Sequence, residues 1–468
     1  MPKAVAITVL VLVLGLVAPR IALAQFVVEA NATVSSGYTN LPNPGTVAQV
    51  DPNDPNHIIA PTGADAFFEI SPGVILLYNN GRVRHALSYN FFATLYAQET
   101  GATSYTNRLA WTMLTDLSPR VRFAVGLTGA QGRQGTFQMQ RMAAALMAQP
   151  AGEVLFANAG GSETLTWALS PQWDLSQDLR VDTFIPLDPD QLAEQTLAAD
   201  ANLRVLRRWR RLGLGGRFGV AYLRRFGLDA QLDAAGQPVE NTETPSAAQF
   251  LFSLLGEARY DLNDRWSVRA EGGGQMALPT AFDEFVMTGT GAGEVAYRHQ
   301  RGRIALRAGH TLTPNVLLGE VFLAETLTLG GLLQLGPPRW RLRTEAMIGY
   351  GYQRAFELEA GSMRERLHTG LADVGVVWRF SPKWEITARY QLNMQEPAGE
   401  ALAGAQVPGY TRHVGLLSLR FNYPAARNRR RTPRRGSTTR VDREQWDAVF
   451  DPTPGRQAGG QQQESSNR

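Results

Sequence analysis

Fifteen arginines hold most of the chemistry available to this sequence: Arg84, Arg108, Arg122, Arg180, Arg204, Arg217, Arg225, Arg259, Arg269, Arg307, Arg343, Arg379, Arg389, Arg412 and Arg420. They recur at positions that alternate with apolar side chains. A guanidinium is charged at every physiological pH and presents a planar fork of donors, so a surface that gathers many of them attracts carboxylates and phosphates. Asp182, Glu257, Glu271, Glu345 and Glu385 fall on the same alternating positions. They open a second use, arginine–carboxylate pairs that brace a wall. Only Lys3 and Lys383 among the 46 basic residues are lysine. Codon bias accounts for such a preference, so the meaning lies in where the arginines stand.

Other chemistries find little support. Cysteine is absent, which removes thiolate metal sites and disulfides. The six histidines, His57, His85, His299, His310, His368 and His413, have no ligand spacing such as HExxH. No G-x-S-x-G elbow or catalytic carboxylate pair stands out. The chain reads as a non-enzyme without a cofactor or a metal.

The elements that must position the arginines are strands. Residues 384–395 alternate without a fault. Trp384, Ile386, Ala388, Tyr390, Leu392 and Met394 take one face, and Glu385, Thr387, Arg389, Gln391, Asn393 and Gln395 take the other. Twelve residues at about 3.3 Å each span roughly 40 Å, which suits a tilted membrane crossing better than a soluble sheet. Similar segments recur around Val83–Leu95, Phe250–Tyr260, Trp340–Tyr350 and Leu417–Tyr423. Tight turns are predicted at 79–81, 117–119, 176–178, 210–212, 263–264, 300–302, 336–338 and 381–383, from their Gly, Pro, Asn, Asp and Ser content or a charge cluster. Eight turns between hairpins, with one strand at each end, give an all-β, up-and-down antiparallel barrel of eighteen strands. Alternation is poor near Leu318–Leu335, and sixteen is the fallback. Tyr78, Trp173, Trp209, Tyr260, Trp266, Trp340, Phe380 and Trp384 lie beside these turns and would form an aromatic girdle at one membrane interface.

The flanks are different material. Lys3, the apolar run Ala4–Ala18 and the small-x-small site Ala22-Leu23-Ala24 read as a signal peptide over 1–24, cleaved after Ala24. Residues 424–468, with six arginines between Arg427 and Arg435 and a Gly/Gln/Ser-rich end, read as a disordered basic tail. Five outer segments (39–63, 188–195, 227–246, 278–290 and 396–410) carry thirteen acidic residues and no Lys or Arg. In the loop 132–161, Met139, Arg141, Met142, Leu146 and Met147 fall at helical spacing and form a candidate constriction, with glycine flanks (Gly132, Gly135, Gly160, Gly161) as hinges.

With its signal segment, short turns, long outer loops, aromatic girdle and terminal Leu419-Arg420-Phe421-Asn422-Tyr423, the chain over residues 25–423 resembles the outer-membrane β-barrels of Gram-negative bacteria, of the porin or exopolysaccharide-export type. The likeness is architectural. Gly415 and the aromatics of the last strand depart from the family's usual spacing, and 45 residues follow Tyr423. The resemblance implies an outer-membrane channel facing lipid outside and water inside. An arginine-rich lumen then suggests a conduit for an anionic exopolysaccharide. The alternatives are a diffusion porin for small anions and a structural envelope barrel plugged by its loops. Expected partners are outer-membrane lipid and, through the 424–468 tail, a periplasmic export protein or an anionic polymer. A nucleic-acid partner is excluded by the compartment.

Overall fold

A computed structural model describes residues 26–41, 49–51, 54–59, 63–80, 82–98, 103–135, 153–187, 195–226, 248–279, 285–315, 320–337, 340–355, 366–398 and 409–423. The expected signal peptide, the 424–468 tail and Met139, Arg141, Met142, Leu146 and Met147 lie outside these residues.

Eighteen strands build one antiparallel sheet that closes on itself. The first half comprises β1 (Phe26–Thr39), β4 (Asp65–Asn79), β5 (Val83–Tyr96), β6 (Ser104–Ser118), β7 (Val121–Gly135), β8 (Glu153–Ala168), β9 (Trp173–Pro186), β10 (Gln195–Arg208) and β11 (Leu212–Phe226). The second half comprises β12 (Ala248–Asp261), β13 (Trp266–Pro279), β14 (Val286–His299), β15 (Gly302–Asn315), β16 (Glu320–Leu335), β17 (Leu342–Ala355), β18 (Arg366–Trp378), β19 (Trp384–Ala398) and β20 (Tyr410–Tyr423). The short pair β2 (Gln49–Asp51) and β3 (Asp54–Ile59) forms a separate hairpin after β1. Every wall strand pairs with its neighbour in sequence, and β1 pairs with both β4 and β20. At a spacing of about 4.8 Å and a tilt of about 40°, eighteen strands enclose a backbone ring roughly 35 Å across.

Tight turns at one rim set the register of the hairpins. In five of them a side-chain acceptor at the turn's first residue takes two backbone N–H groups. Asn80 accepts from Arg82 and Val83, Ser118 from Arg120 and Val121, Ser170 from Gln172 and Trp173, Asn263 from Arg265 and Trp266, and Ser381 from Lys383 and Trp384. These are the local side-chain-to-backbone bonds that favour Asn and Ser in reversals. The third turn corrects the sequence reading. Residues 176–178 lie inside β9, where Ser176 faces Thr166 on one side and Arg204 on the other. The chain reverses instead at 169–172, where Ser170 provides the acceptor and Pro171 cannot donate to a ladder. The 132–161 loop also narrows, because β7 runs to Gly135 and β8 begins at Glu153. Gly132, Gly160 and Gly161 therefore sit inside strands rather than at hinges. At Gly132 the closeness of the neighbouring strand demands glycine, since a Cβ there would run into the carbonyl oxygen of Tyr105.

Alternation sorts the two faces. Trp384, Tyr390, Leu417, Leu419, Val374, Val376, Ile348, Leu329, Leu306 and Leu254 stand exposed on the outside. Near the turns the outer face carries the girdle residues Tyr78, Trp173, Trp209, Tyr260, Trp266, Trp340, Phe380 and Trp384, joined by Trp167, Trp378 and Tyr297. Arg207 lies over the rings of both Trp173 and Trp209. A second outer band lies toward the loops, where Tyr350 bonds His368 (2.6 Å), Tyr390 bonds His413 (2.7 Å) and Tyr89 donates to Asn107 (2.8 Å). An apolar belt between two aromatic bands is the profile of a wall that meets a bilayer. Glu163 is an exception on the outer face, between Val125 and Leu179.

The longest interruption of the ladder among the described residues lies between β14 and β15. β13 pairs with β14 up to Ala277–Val286, and β15 pairs with β16 up to Asn315–Glu320. Between β14 and β15, however, pairing stops at Gly291–His310. Above this fork the end of the β15–β16 hairpin leaves the wall and tucks inside it. Leu312, Val321 and Leu323, whose alternation assigns them to the outer face, pack in one buried cluster with inner-face Leu223, Leu251 and Ala277. Two side chains satisfy backbone groups at the fork: Gln275 accepts from the Leu312 N–H (2.7 Å), and Thr290 donates to the His310 carbonyl (2.7 Å).

The β1–β20 seam is held from inside. Phe67, Tyr96 and Val414 form a buried cluster with Leu416 beside it. Arg412, fully buried, donates to the Thr39 hydroxyl and the Tyr96 hydroxyl, each at 3.2 Å. Truncating it would leave both oxygens in a site water cannot enter freely. Arg412→Ala should lower the unfolding free energy by about 2 kcal/mol, measured as an earlier urea midpoint in the gel-mobility shift of the folded barrel. Arg84→Ala, on the same inner face at the turn end, should leave that midpoint nearly unchanged.

Candidate functional site: the inner wall

The inner wall is built by the second residue of each alternating pair. The register puts Arg84, Arg108, Arg122, Arg180, Arg204, Arg217, Arg259, Arg269, Arg307, Arg343, Arg389, Arg412 and Arg420 on the face opposite the apolar belt. Arg379, one residue beyond β18, turns to the same side and meets Glu385. Arg225 pairs with Thr196 at an inner-face backbone position, and its side chain is outside the described ones. Arg208, Arg298 and Arg303 join this face.

The charges are sorted around the circumference. On β12–β15 a row runs through consecutive register partners: Arg259 faces Arg269, Arg269 faces Glu294, and Glu294 faces Arg307. Glu294 is gripped from two directions, by Arg303 at 2.9 Å and by Arg307. Arg259 lies 3.6 Å from Asp261. Four arginines thus share two carboxylates in a patch three strand spacings wide, about 15 Å.

On β8–β10 the balance reverses. Asp174, Asp178, Asp182 and Asp200 face inward with Arg180, Arg204 and Arg208 among them, and Arg204 is turned away to β12. Arg180 bonds Asp182, and Arg208 lies 2.7 Å from Asp174. Asp178 accepts from Thr164 at 2.8 Å and Asp200 from Asn202 at 3.0 Å. Between the acidic and basic sectors, two bridges each skip a strand. Arg204 on β10 reaches Glu257 on β12 at 2.6 Å, and Arg217 on β11 reaches Glu271 on β13 at 3.2 Å. Gly215, at the register position opposite Glu257, leaves the first bridge room to pass over β11.

Elsewhere the wall is braced. Arg122 lies 3.2 Å from Asp116, Arg343 3.0 Å from Glu345, Arg379 3.1 Å from Glu385 and Arg389 2.6 Å from Asp373. Asp373 also accepts from Gln391 at 2.9 Å. Asp182, Glu257, Glu271, Glu345 and Glu385 all stand on this face, as their alternation indicates. Sequence reasoning missed Asp116, Asp174, Asp178, Asp200, Asp261, Glu294 and Asp373. For Asp174 and Asp178 the cause is the misplaced 176–178 turn, which cut β9 in two. These carboxylates narrow the arginine surplus overall. Among the described residues no group of His, Asp and Glu has the geometry to hold a metal ion.

No protein-family model matches the chain, and no curated protein matches it. Among solved structures it is similar to a mutant ferric enterobactin receptor of Pseudomonas aeruginosa, at 8% identity and TM-score 0.44, covering 85% of this chain and 80% of that one. It is similar to OccAB3 of Acinetobacter baumannii, at 10% identity and TM-score 0.42, covering 85% and 99%. It is also similar to the copper transporter OprC, at 12% identity and TM-score 0.43, covering 85% and 80%. These chains are barrels of distant sequence.

The strand-skipping bridges have a measurable signature. The Arg204–Glu257 pair is the most enclosed, with side chains 16% and 12% exposed. Arg204→Gln and Glu257→Gln should each destabilise the barrel, while the double variant recovers part of the loss. The double-mutant coupling should fall between about 0.5 and 3 kcal/mol in urea titrations.

Proposed function

We propose that this barrel is an outer-membrane channel for anionic cargo, and that the cargo is an acidic polysaccharide leaving the cell. The arginine row on β12–β15 carries this reading. Arg259 and Arg269 stand on neighbouring strands about 4.8 Å apart, and Arg303 and Arg307 lie on β15 beyond Glu294, so a polyanion can shift from one guanidinium to the next without losing all its partners. Conduction needs such multiple weak sites, strong enough to admit the cargo and weak enough to release it. A low-dielectric wall focuses their field into the lumen. The thirteen acidic residues of the outer segments repel polyanions from the outside and favour one-way passage outward. β1 and β20 also reach the turn-side rim together, since Ala30 pairs with Tyr423. Tyr423, the residue before the basic 424–468 segment, therefore stands at the rim where periplasmic machinery would deliver the polymer.

The second reading is diffusion of small anions. It is favoured by the acidic sector on β8–β10, which with the arginine row sets a field across the lumen and acts on any small ion.

Planar-bilayer recordings separate the two. In a salt gradient the wild-type channel should be anion-selective, and Arg269→Glu combined with Arg307→Glu should move the reversal potential toward cations. A linear polyuronate added on the turn side should block current in events that lengthen with chain length. Anion selectivity without such block favours the diffusion reading. Cation selectivity of the wild type, or silence, would sink both.

A further inference from the structure

The fork between β14 and β15 has a consequence on the outside of the barrel. Just below the point where pairing stops, the outer face sinks into a cleft of about 600 Å³, lined by Gly291, Gly293, Ala308, His310, Glu325, Leu327 and Tyr350 among others. Its floor is shallow because the outward residues of β14 and of lower β15 there are glycine and alanine. Its side toward the turns is apolar. Its end toward the loops holds a polar pair, His310 Nδ1 lying 3.3 Å from a Glu325 carboxylate oxygen, with both side chains substantially exposed on a largely apolar face.

The order of these groups along the strands matters. His310 faces Glu325, and two residues nearer the turns Ala308 faces Leu327. Leu327 in turn faces Tyr350, a member of the loop-side aromatic band. The polar pair is therefore at the level of the bilayer's outer interface, and the apolar floor descends from it toward the midplane. Charged groups on a lipid-facing wall are costly except near the interface, so the pair stands where a lipid-sized headgroup would sit.

We propose that this cleft binds a single-chain amphiphile with a carboxyl head, head at His310 and Glu325, tail along Gly293, Ala308 and Leu327. Glu325 takes Nδ1 of His310 and leaves Nε2 to meet a headgroup oxygen. Glu325's second oxygen accepts from a protonated head. The small-residue floor, Gly293 and Ala308 beside Leu327, leaves room for an alkyl chain against the wall. The fork immediately above is closed by side-chain packing of Leu312, Val321 and Leu323 on the inner wall rather than by a β14–β15 ladder. The site thus lies against a place where the wall between lumen and lipid is a packed overlap.

The test uses the full chain in detergent and dansyl-undecanoic acid as probe, followed by fluorescence on titration. Saturable binding at a stoichiometry near one is expected. Gly293→Leu fills the floor; a Cβ at this position stays 3.8 Å from its nearest neighbour, the Arg269 carbonyl oxygen, so the backbone need not move. This variant should weaken binding at least tenfold while leaving the ion selectivity and the folded gel mobility as in wild type. The methyl ester of the probe should bind several-fold more weakly to wild type, and that difference should vanish in Glu325→Gln combined with His310→Gln. Absence of saturable binding, or equal affinity in Gly293→Leu, overturns the site. Equal affinity of acid and ester overturns the role of the polar pair. Because selectivity is recorded on the same samples, failure here is distinguishable from failure of the channel reading.

Discussion

Everything in this molecule follows from the demand that backbone N–H and C=O groups be satisfied within the wall. In hydrocarbon no water can serve them, so a sheet must have no free edge. β1 meets this demand by pairing on both sides, with β4 over its full length and with β20 over residues 30–39. Once the sheet is closed, alternation becomes a rule of chemistry. Each strand sends one residue to lipid and the next to the lumen, and a slip of one residue would exchange Trp384 for Glu385 across the whole wall. The arginine row, the acidic sector and the aromatic bands are all products of that one register.

The fork shows how the rule tolerates an exception. Where the β14–β15 ladder ends, Gln275 and Thr290 replace backbone partners and a hydrophobic cluster replaces the ladder as the seal. Leu312, Val321 and Leu323 are outer-face residues by alternation, yet they pack against the inner face of neighbouring strands. The wall is thus two layers thick at this point and one layer elsewhere. An apolar overlap resists water but lacks the directional bonds that fix strand to strand, so it is the part of the circumference with the least geometric specification.

This exception explains what the sequence could and could not reveal. The strand count, the two faces and the turn-side girdle were legible because alternation and turn chemistry are local. The segment near Leu318–Leu335 alternates poorly for a physical reason: Val321, Phe322, Leu323 and Ala324 are all buried, and a strand covered on both faces has no need to alternate. Ser176-Gln177-Asp178 misled because its composition suits a turn equally well, and the neighbouring Ser170-Pro171 decided the matter only through its backbone bonds. Asp174 and Asp178 on β9 were hidden by that error. Sorting of charge into sectors was not legible, since it depends on which strands lie side by side around the ring. The loop-side Tyr–His pairs were equally hidden, because their members lie on different strands.

The seam described above also governs when the barrel can come into being. Thr33 meets Arg420 across most of the chain, whereas every other wall ladder joins wall strands that follow one another in the chain. Hairpins can form early and locally, but the two outermost strands remain templates for foreign strands until the last residues of β20 arrive. The slowest event in this protein's history is therefore a meeting of its ends. Until they meet, the chain carries one hazard above others, a long open sheet whose first and last strands seek the nearest edge.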